Sequence, residues 1–287
     1  MKIVIYFSSA VKKLIYFAVA VIISSLILFI NMDYFHENNT IPGNSSVNSV
    51  PGDAKPSVAG TTRAKLAIII DDFGQNRNGV AEMLSIKRNL TMAVMPFLTY
   101  TRTDAQTAHK NKHEVIVHLP MESYKGEPAW VGPRPIITTM KDFEIKKLVT
   151  DAFNDVPFAA GANIHMGTKA GGDQRVISDV LDVIKGRNLY FVDSRTGNTP
   201  VARNIAKKKK IICYENDVFI DGKDQSLDYM KNQLKAACEI AQKTGKAVAI
   251  GHVGAEGGKI TAQAINEMLS YFDSKNIQLV FVSELGK

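Results

Sequence analysis

From Lys65 onward, short apolar runs alternate with longer stretches of helical spacing. The run LAIII (66–70) is continuous and rich in β-branched residues, the pattern of a strand covered on both faces. Runs of the same kind follow at TMAVM (91–95, closed by Pro96), EVIVH (114–118), AAGANI (159–164), LYFV (189–192), DVFI (217–220), AVAI (247–250) and QLVFV (278–282). Apolar positions at helical spacing occupy 77–87, 100–111, 141–153, 174–186, 199–208, 226–244 and 260–274. A loop carrying Pro120, Pro128, Pro133 and Pro135 interrupts the series after EVIVH. Repeated strand–helix alternation predicts a parallel sheet, either a closed (β/α) barrel or an open doubly wound sheet. No G-x-G-x-x-G follows LAIII, so a dinucleotide fold has no support.

The N-terminal part has a different pattern. Residues 14–30, LIYFAVAVIISSLILFI, carry no charge and follow Lys12 and Lys13. They predict a signal or membrane-anchor segment over 1–30, with the bulk of the chain extracytoplasmic, periplasmic or at the cell surface. Asn31, Met32, Asp33 and Tyr34 follow without a small-x-small cleavage site, which favours an uncleaved anchor. Residues 31–63 are rich in Asn, Ser, Pro, Gly and Thr, a composition that predicts a flexible linker. The folded domain is then 64–287.

The chain is 45% hydrophobic and 22% charged, an ordinary balance for burying a core. Its net charge of +7 allows an anionic partner, but no basic stripe interleaved with aromatics points to nucleic acid. Cys213 and Cys238 form no C-x-x-C pair, which argues against a thiolate metal site. They are expected either as a disulfide in an oxidising compartment or as two buried thiols.

Active sites of (β/α) barrels lie at the C-terminal ends of the strands. Asp71 and Asp72 follow LAIII, His118 closes EVIV, and His165 follows AAGANI. Asp193 follows LYFV with Arg195 two residues on, Asp221 follows DVFI, His252 follows AVAIG, and Ser283 and Glu284 follow QLVFV. Ionisable groups therefore close nearly every strand at one end. Imidazole and carboxylate donors suit a zinc-like divalent cation, and two histidines with one carboxylate leave a coordination position open. A second carboxylate can take a proton from water and a further histidine can protonate a leaving group.

The segments IIIDDFG (68–74), HEVIVHLPME (113–122), GANIHMGT (161–168), YFVDSRT (190–196) and AIGHVG (249–254) together resemble the divergent polysaccharide deacetylase family. The resemblance implies a distorted (β/α) barrel of the glycoside hydrolase/deacetylase type and metal-dependent removal of N- or O-acetyl groups from a cell-envelope polysaccharide. It further implies Asp71 as general base, Asp72, His118 and His165 as ligands of a divalent metal (zinc foremost), and His252 as general acid. Asp193 and Arg195 match its D-S-R-T element, with Arg195 expected to keep Asp71 ionised. Ile164 stands where the family tends to have a second asparagine before the histidine, and KAGGD (169–173) departs from its pattern. Expected partners are a polysaccharide or oligosaccharide and, through the N-terminal segment, a membrane. The competing reading is a catalytically degenerate barrel that binds an envelope glycan or a protein. Glu122 is a candidate further ligand or substrate contact, and Trp130 a candidate sugar-stacking ring or loop anchor.

Overall fold

The computed structural model describes residues 63–126, 130–197 and 201–286. The anchor expected in 1–30 and nearly all of the linker lie outside the described residues.

The elements alternate as the apolar pattern predicts. In order they are β1 (Ala64–Phe73), α1 (Val80–Ser85), β2 (Thr91–Val94), α2 (Thr101–Lys110), β3 (Glu114–Met121) and α3 (Asp142–Asp155). Next come β4 (Ala159–Met166), α4 (Gln174–Gly186), β5 (Tyr190–Asp193), α5 (Ala202–Lys209), β6 (Cys213–Glu215) and β7 (Val218–Phe219). The chain ends with α6 (Leu227–Thr244), β8 (Lys246–His252), α7 (Lys259–Ser274) and β9 (Ile277–Val280). The three-residue β6 is an addition to the sequence reading.

All pairings are parallel, in the order β6-β5-β4-β3-β2-β1-β8-β7, with β9 against the start of β1. The two edge strands are consecutive parts of one extended stretch. Asn216 donates its N–H to Asp193 on β5, and Asp217 donates to Val248 on β8. One segment thus passes from one edge of the sheet to the other, and the result is a distorted (β/α) barrel.

Strand alternation sorts side chains into two apolar layers. On β1, Leu66, Ile68 and Ile70 pack with the helices, while Ala67 and Ile69 join Ala93, Ile116, Val192, Val248 and Ile250 inside the barrel. Continuing each inward row by two residues reaches the strand ends. There Asp71 follows Ile69, His118 follows Ile116, and His252 follows Ile250. The interior is therefore apolar up to one rim and ionisable at that rim.

Candidate metal centre and active site

Two consecutive aspartates serve this rim because β1 breaks its alternation. Ile70 pairs with Met92 but Phe73 with Val94, so β1 holds one extra residue against β2. Asp72 takes up the bulge with φ 71°. Its carboxylate turns to the side Asp71 already faces. The turn beyond is clamped by the buried Asp104. Gly74 donates its N–H to Asp104 Oδ2 at 2.9 Å, and Arg77 Nη1 donates to both Asp104 oxygens at 2.7 and 2.6 Å.

Asp72 Oδ1 lies 3.1 Å from His165 Nδ1 and 3.4 Å from His118 Nε2, and the two ring nitrogens are 3.0 Å apart. The outer nitrogen of each ring is already committed. Asn163 Nδ2 donates to Asp71 Oδ1 at 2.8 Å, so Asn163 Oδ1 accepts from His118 Nδ1 at 2.7 Å. The Trp130 carbonyl accepts from His165 Nε2 at 2.9 Å. Each imidazole therefore turns a lone pair inward, toward the same point as a carboxylate oxygen that is buried with no hydrogen-bond donor. Two nitrogen lone pairs and an anionic oxygen at these separations repel unless a positive charge sits among them. The donor set fits a divalent cation of the zinc kind. Burial alone would raise the Asp72 carboxyl, but contact with His118 and His165 holds it well below the usual carboxylate range. For His165, burial works to lower the pKa, but Asp72 outweighs it and raises the ring, as a cluster built for a cation would attract a proton.

Asp71 is fully buried and lies beside this cluster, 3.6 Å from His118 Nε2. Burial raises its pKa, while His118, His252 and the Asn163 amide pull against that rise and Asp72 adds to it. Across the β1–β8 ladder Asp71 is in register with His252. Asp221 holds His252 at two points: His252 Nδ1 donates to Oδ1 at 2.6 Å and the His252 N–H donates to Oδ2 at 2.9 Å. Thr261 Oγ1 donates a further bond to Asp221 Oδ2 at 2.6 Å. Burial would lower the His252 pKa, but the Asp221 pairing dominates, aided by Asp71 and Asp72, and raises it to about 10. The ring is held in one orientation, with Nε2 left to face the cleft.

These groups open into a cleft of about 490 Å³, walled by Ile164, Met166, Phe219, Ala236 and Tyr229 and edged by Lys223 and Glu256. The structure thus brings Asp71, Asp72, His118, His165 and His252 together. Asp193 and Arg195 fall outside this group. On β5, Val192 faces the barrel interior and Phe191 the helix layer, so Asp193 turns outward beside Glu215 and Cys213. It accepts the Arg195 N–H at 2.8 Å, and Ser194 lines the cleft in its place. Arg195 is exposed, and its charge acts on Asp193. The buttress of Asp71 is the Asn163 amide instead. Glu122 ion-pairs with Lys169 at 2.7 Å and accepts from Thr138, so it ties two loops together outside the metal cluster. Both cysteines are free thiols, and burial pushes each up to about 12. The sequence reading missed Asn163, although it sits two residues before His165 on the same face, and noted Asp221 only as a strand-end acid.

A family model described as divergent polysaccharide deacetylase matches residues 68–286, which includes every one of these positions. The chain belongs to that family. It is 34% identical over 200 residues to the uncharacterized protein YibQ of Escherichia coli K12, a match covering 69% of this chain and 60% of that protein. It is 31% identical over 190 residues to an uncharacterized protein of Haemophilus influenzae, covering 66% of this chain and 67% of the relative. The fold is similar to the crystal structure of an uncharacterized protein from Agrobacterium tumefaciens C58. That similarity has a TM-score of 0.71 at 19% identity, and covers 79% of this chain and 91% of that one. The chain thus shares its barrel fold with that structure at low sequence identity.

Proposed function

We propose that this chain is a metal-dependent deacetylase that removes an N- or O-linked acetyl group from a cell-envelope glycan. The observation that carries the reading is the convergence of Asp72 Oδ1, His118 Nε2 and His165 Nδ1 on one point, with Asp71 beside it and His252 in register with Asp71 on the neighbouring strand. A zinc-like cation held by those three atoms would polarise the acyl carbonyl and make water more acidic.

The remaining work falls to this chain's own groups. Asp71, with its pKa raised by burial, is a stronger base than an ordinary carboxylate. It takes a proton from water as the water oxygen bonds to the acyl carbon. The C–N or C–O bond then breaks, and His252 delivers a proton to the departing amine or alcohol. His252 suits this role because its pairing with Asp221 keeps the ring charged at neutral pH and aims Nε2 into the cleft. Asn163 holds the base and one ligand with a single amide, so the distance between them is fixed before substrate arrives.

The test is acetate release from acetylated chitooligosaccharides and peptidoglycan fragments. Asp71→Asn is expected to cut turnover by about 10²- to 10⁴-fold, the usual contribution of a general base, while bound metal is retained. Unchanged turnover in Asp71→Asn would remove that residue from the mechanism. Glycan binding without acetate release by the wild type would mean the barrel is a binding module.

A further inference from the structure

A parallel barrel has two unlike ends, and the end opposite the metal centre has its own surface chemistry. Every strand begins there, so every helix-to-strand loop lies there too. Neighbouring strands β3, β4, β5 and β6 are entered through the loops 111–113, 156–158, 187–189 and 210–212. None of these loops contains an acidic residue.

Lys112 and Lys210 stand in these loops, with Lys185 and Lys208 in the last turns of the helices before them. All four are exposed and make no ion pair among the described residues. Part of this is ordinary, because a lysine in the last turn complements the helix dipole. Two large apolar side chains on the same patch are not explained that way. Phe158 in the β4 loop is 55% exposed and Ile212 in the β6 loop is 62% exposed. Phe158 also has φ 65°, an unfavourable region for a bulky residue, and stacks on His109 at 4.0 Å. Exposed bulky apolar residues at the same end of a domain as lysines without ion-pair partners form the kind of surface that sits at a lipid–water interface. An anionic polymer would use the lysines but has no use for Phe158 and Ile212.

The chain's own connectivity points the same way. β1 starts at this end with Ala64, and the apolar, uncharged stretch 14–30 lies upstream of it. We propose that this end of the barrel docks on an anionic bilayer surface, with Phe158 and Ile212 entering the interface and the lysines meeting lipid phosphates. The metal centre then faces away from the membrane. The proposal does not depend on the deacetylase reading.

The test uses the full chain reconstituted in vesicles containing brominated phospholipid, with tryptophan as depth reporter. The single native tryptophan, Trp130, is at the catalytic end and 63% exposed. Two reporters, Phe158→Trp and Ile212→Trp, are made separately in a Trp130→Phe background, so that one suffices if the other misfolds. In vesicles with anionic lipid, reporter emission is expected to shift to the blue and be quenched, while Trp130 in the wild type is not. Quenching should fall to the level of purely zwitterionic vesicles at about 1 M salt, where screening is nearly complete, and when Lys112, Lys185 and Lys210 are all changed to Glu. Quenching of Trp130 equal to that of the reporters would overturn the proposal. So would unquenched reporters in anionic vesicles, or quenching that ignores salt and the lysine changes.

Discussion

Asn163 ties the base to one of the candidate ligands. Its amide has one donor on Asp71 and its acceptor on His118, and the side chain has no exposure. Removing it frees the base and leaves the His118 tautomer unspecified. Groups that hydrogen-bond and orient metal ligands commonly account for about 10- to 100-fold in affinity. Asn163→Ala is therefore expected to weaken metal binding by about that factor, measured by competition with a chelator, with turnover falling further because the base is also loosened.

His252 offers a readout in pH. Its pKa rises from the ordinary 6.5 to about 10 on folding, so the folded state holds the proton more tightly than the unfolded chain. The sign follows: its contribution to stability is complete below about pH 6.5 and is lost as pH rises through about 10. The metal-free protein should lose melting temperature across that window, and His252→Gln should show a shallower loss. An equal loss in both would place the effect elsewhere. His113 has the opposite sign. Burial lowers its pKa, so its contribution is present above about 6.5 and fades on acidification.

At the level of elements, the strand-end loops decide which groups meet. The β8–α7 connection packs Gly257 against the Asp221–Thr261 pair so closely that an added Cβ would lie 1.9 Å from Thr261 Oγ1 and 2.3 Å from Asp221 Oδ2. Gly257 needs space, not unusual backbone; its neighbour Gly258 supplies the positive φ, at 59°. Gly257→Ala should cost about 1–3 kcal/mol, seen in denaturant unfolding, and reduce turnover by displacing Asp221 from His252. Strand alternation also explains what the sequence hid. Asp193 follows Val192, an inward residue, so its own side chain turns outward, and a reading that counts only strand-end residues cannot see the parity. LAIII announced β1, but the bulge that turns Asp72 inward is a φ angle that no apolar pattern reports. β6 escaped notice because it has three residues and pairs on one side only.

Over the whole barrel, the alternation of apolar runs sufficed for the architecture because the central strands β1 to β5 and β8 are largely buried on both faces and each helix on one. The convergence of Asp71, Asp72, His118, His165 and His252 was legible for the same reason: parallel strands put their C-terminal ends on one rim. The supports were harder to read. Asn163 bonds His118 on the adjacent β3 and reaches across to Asp71 on β1, and Asp221 bonds His252 on β8 from the end of β7; only the register of the folded sheet brings these together. The two ends of the barrel divide the labour in this account, with the chemistry at one rim and a basic, partly apolar surface at the other.

The proposed chemistry depends on whether Asp72, His118 and His165 hold a metal. Its most direct test is metal content by plasma mass spectrometry on the full chain, for the wild type and for Asp72→Ala, His118→Ala and His165→Ala. About one ion per wild-type chain is expected, with that ion lost in each variant. A wild type that takes up no metal after incubation with zinc, cobalt or iron, or variants that keep it, would contradict it.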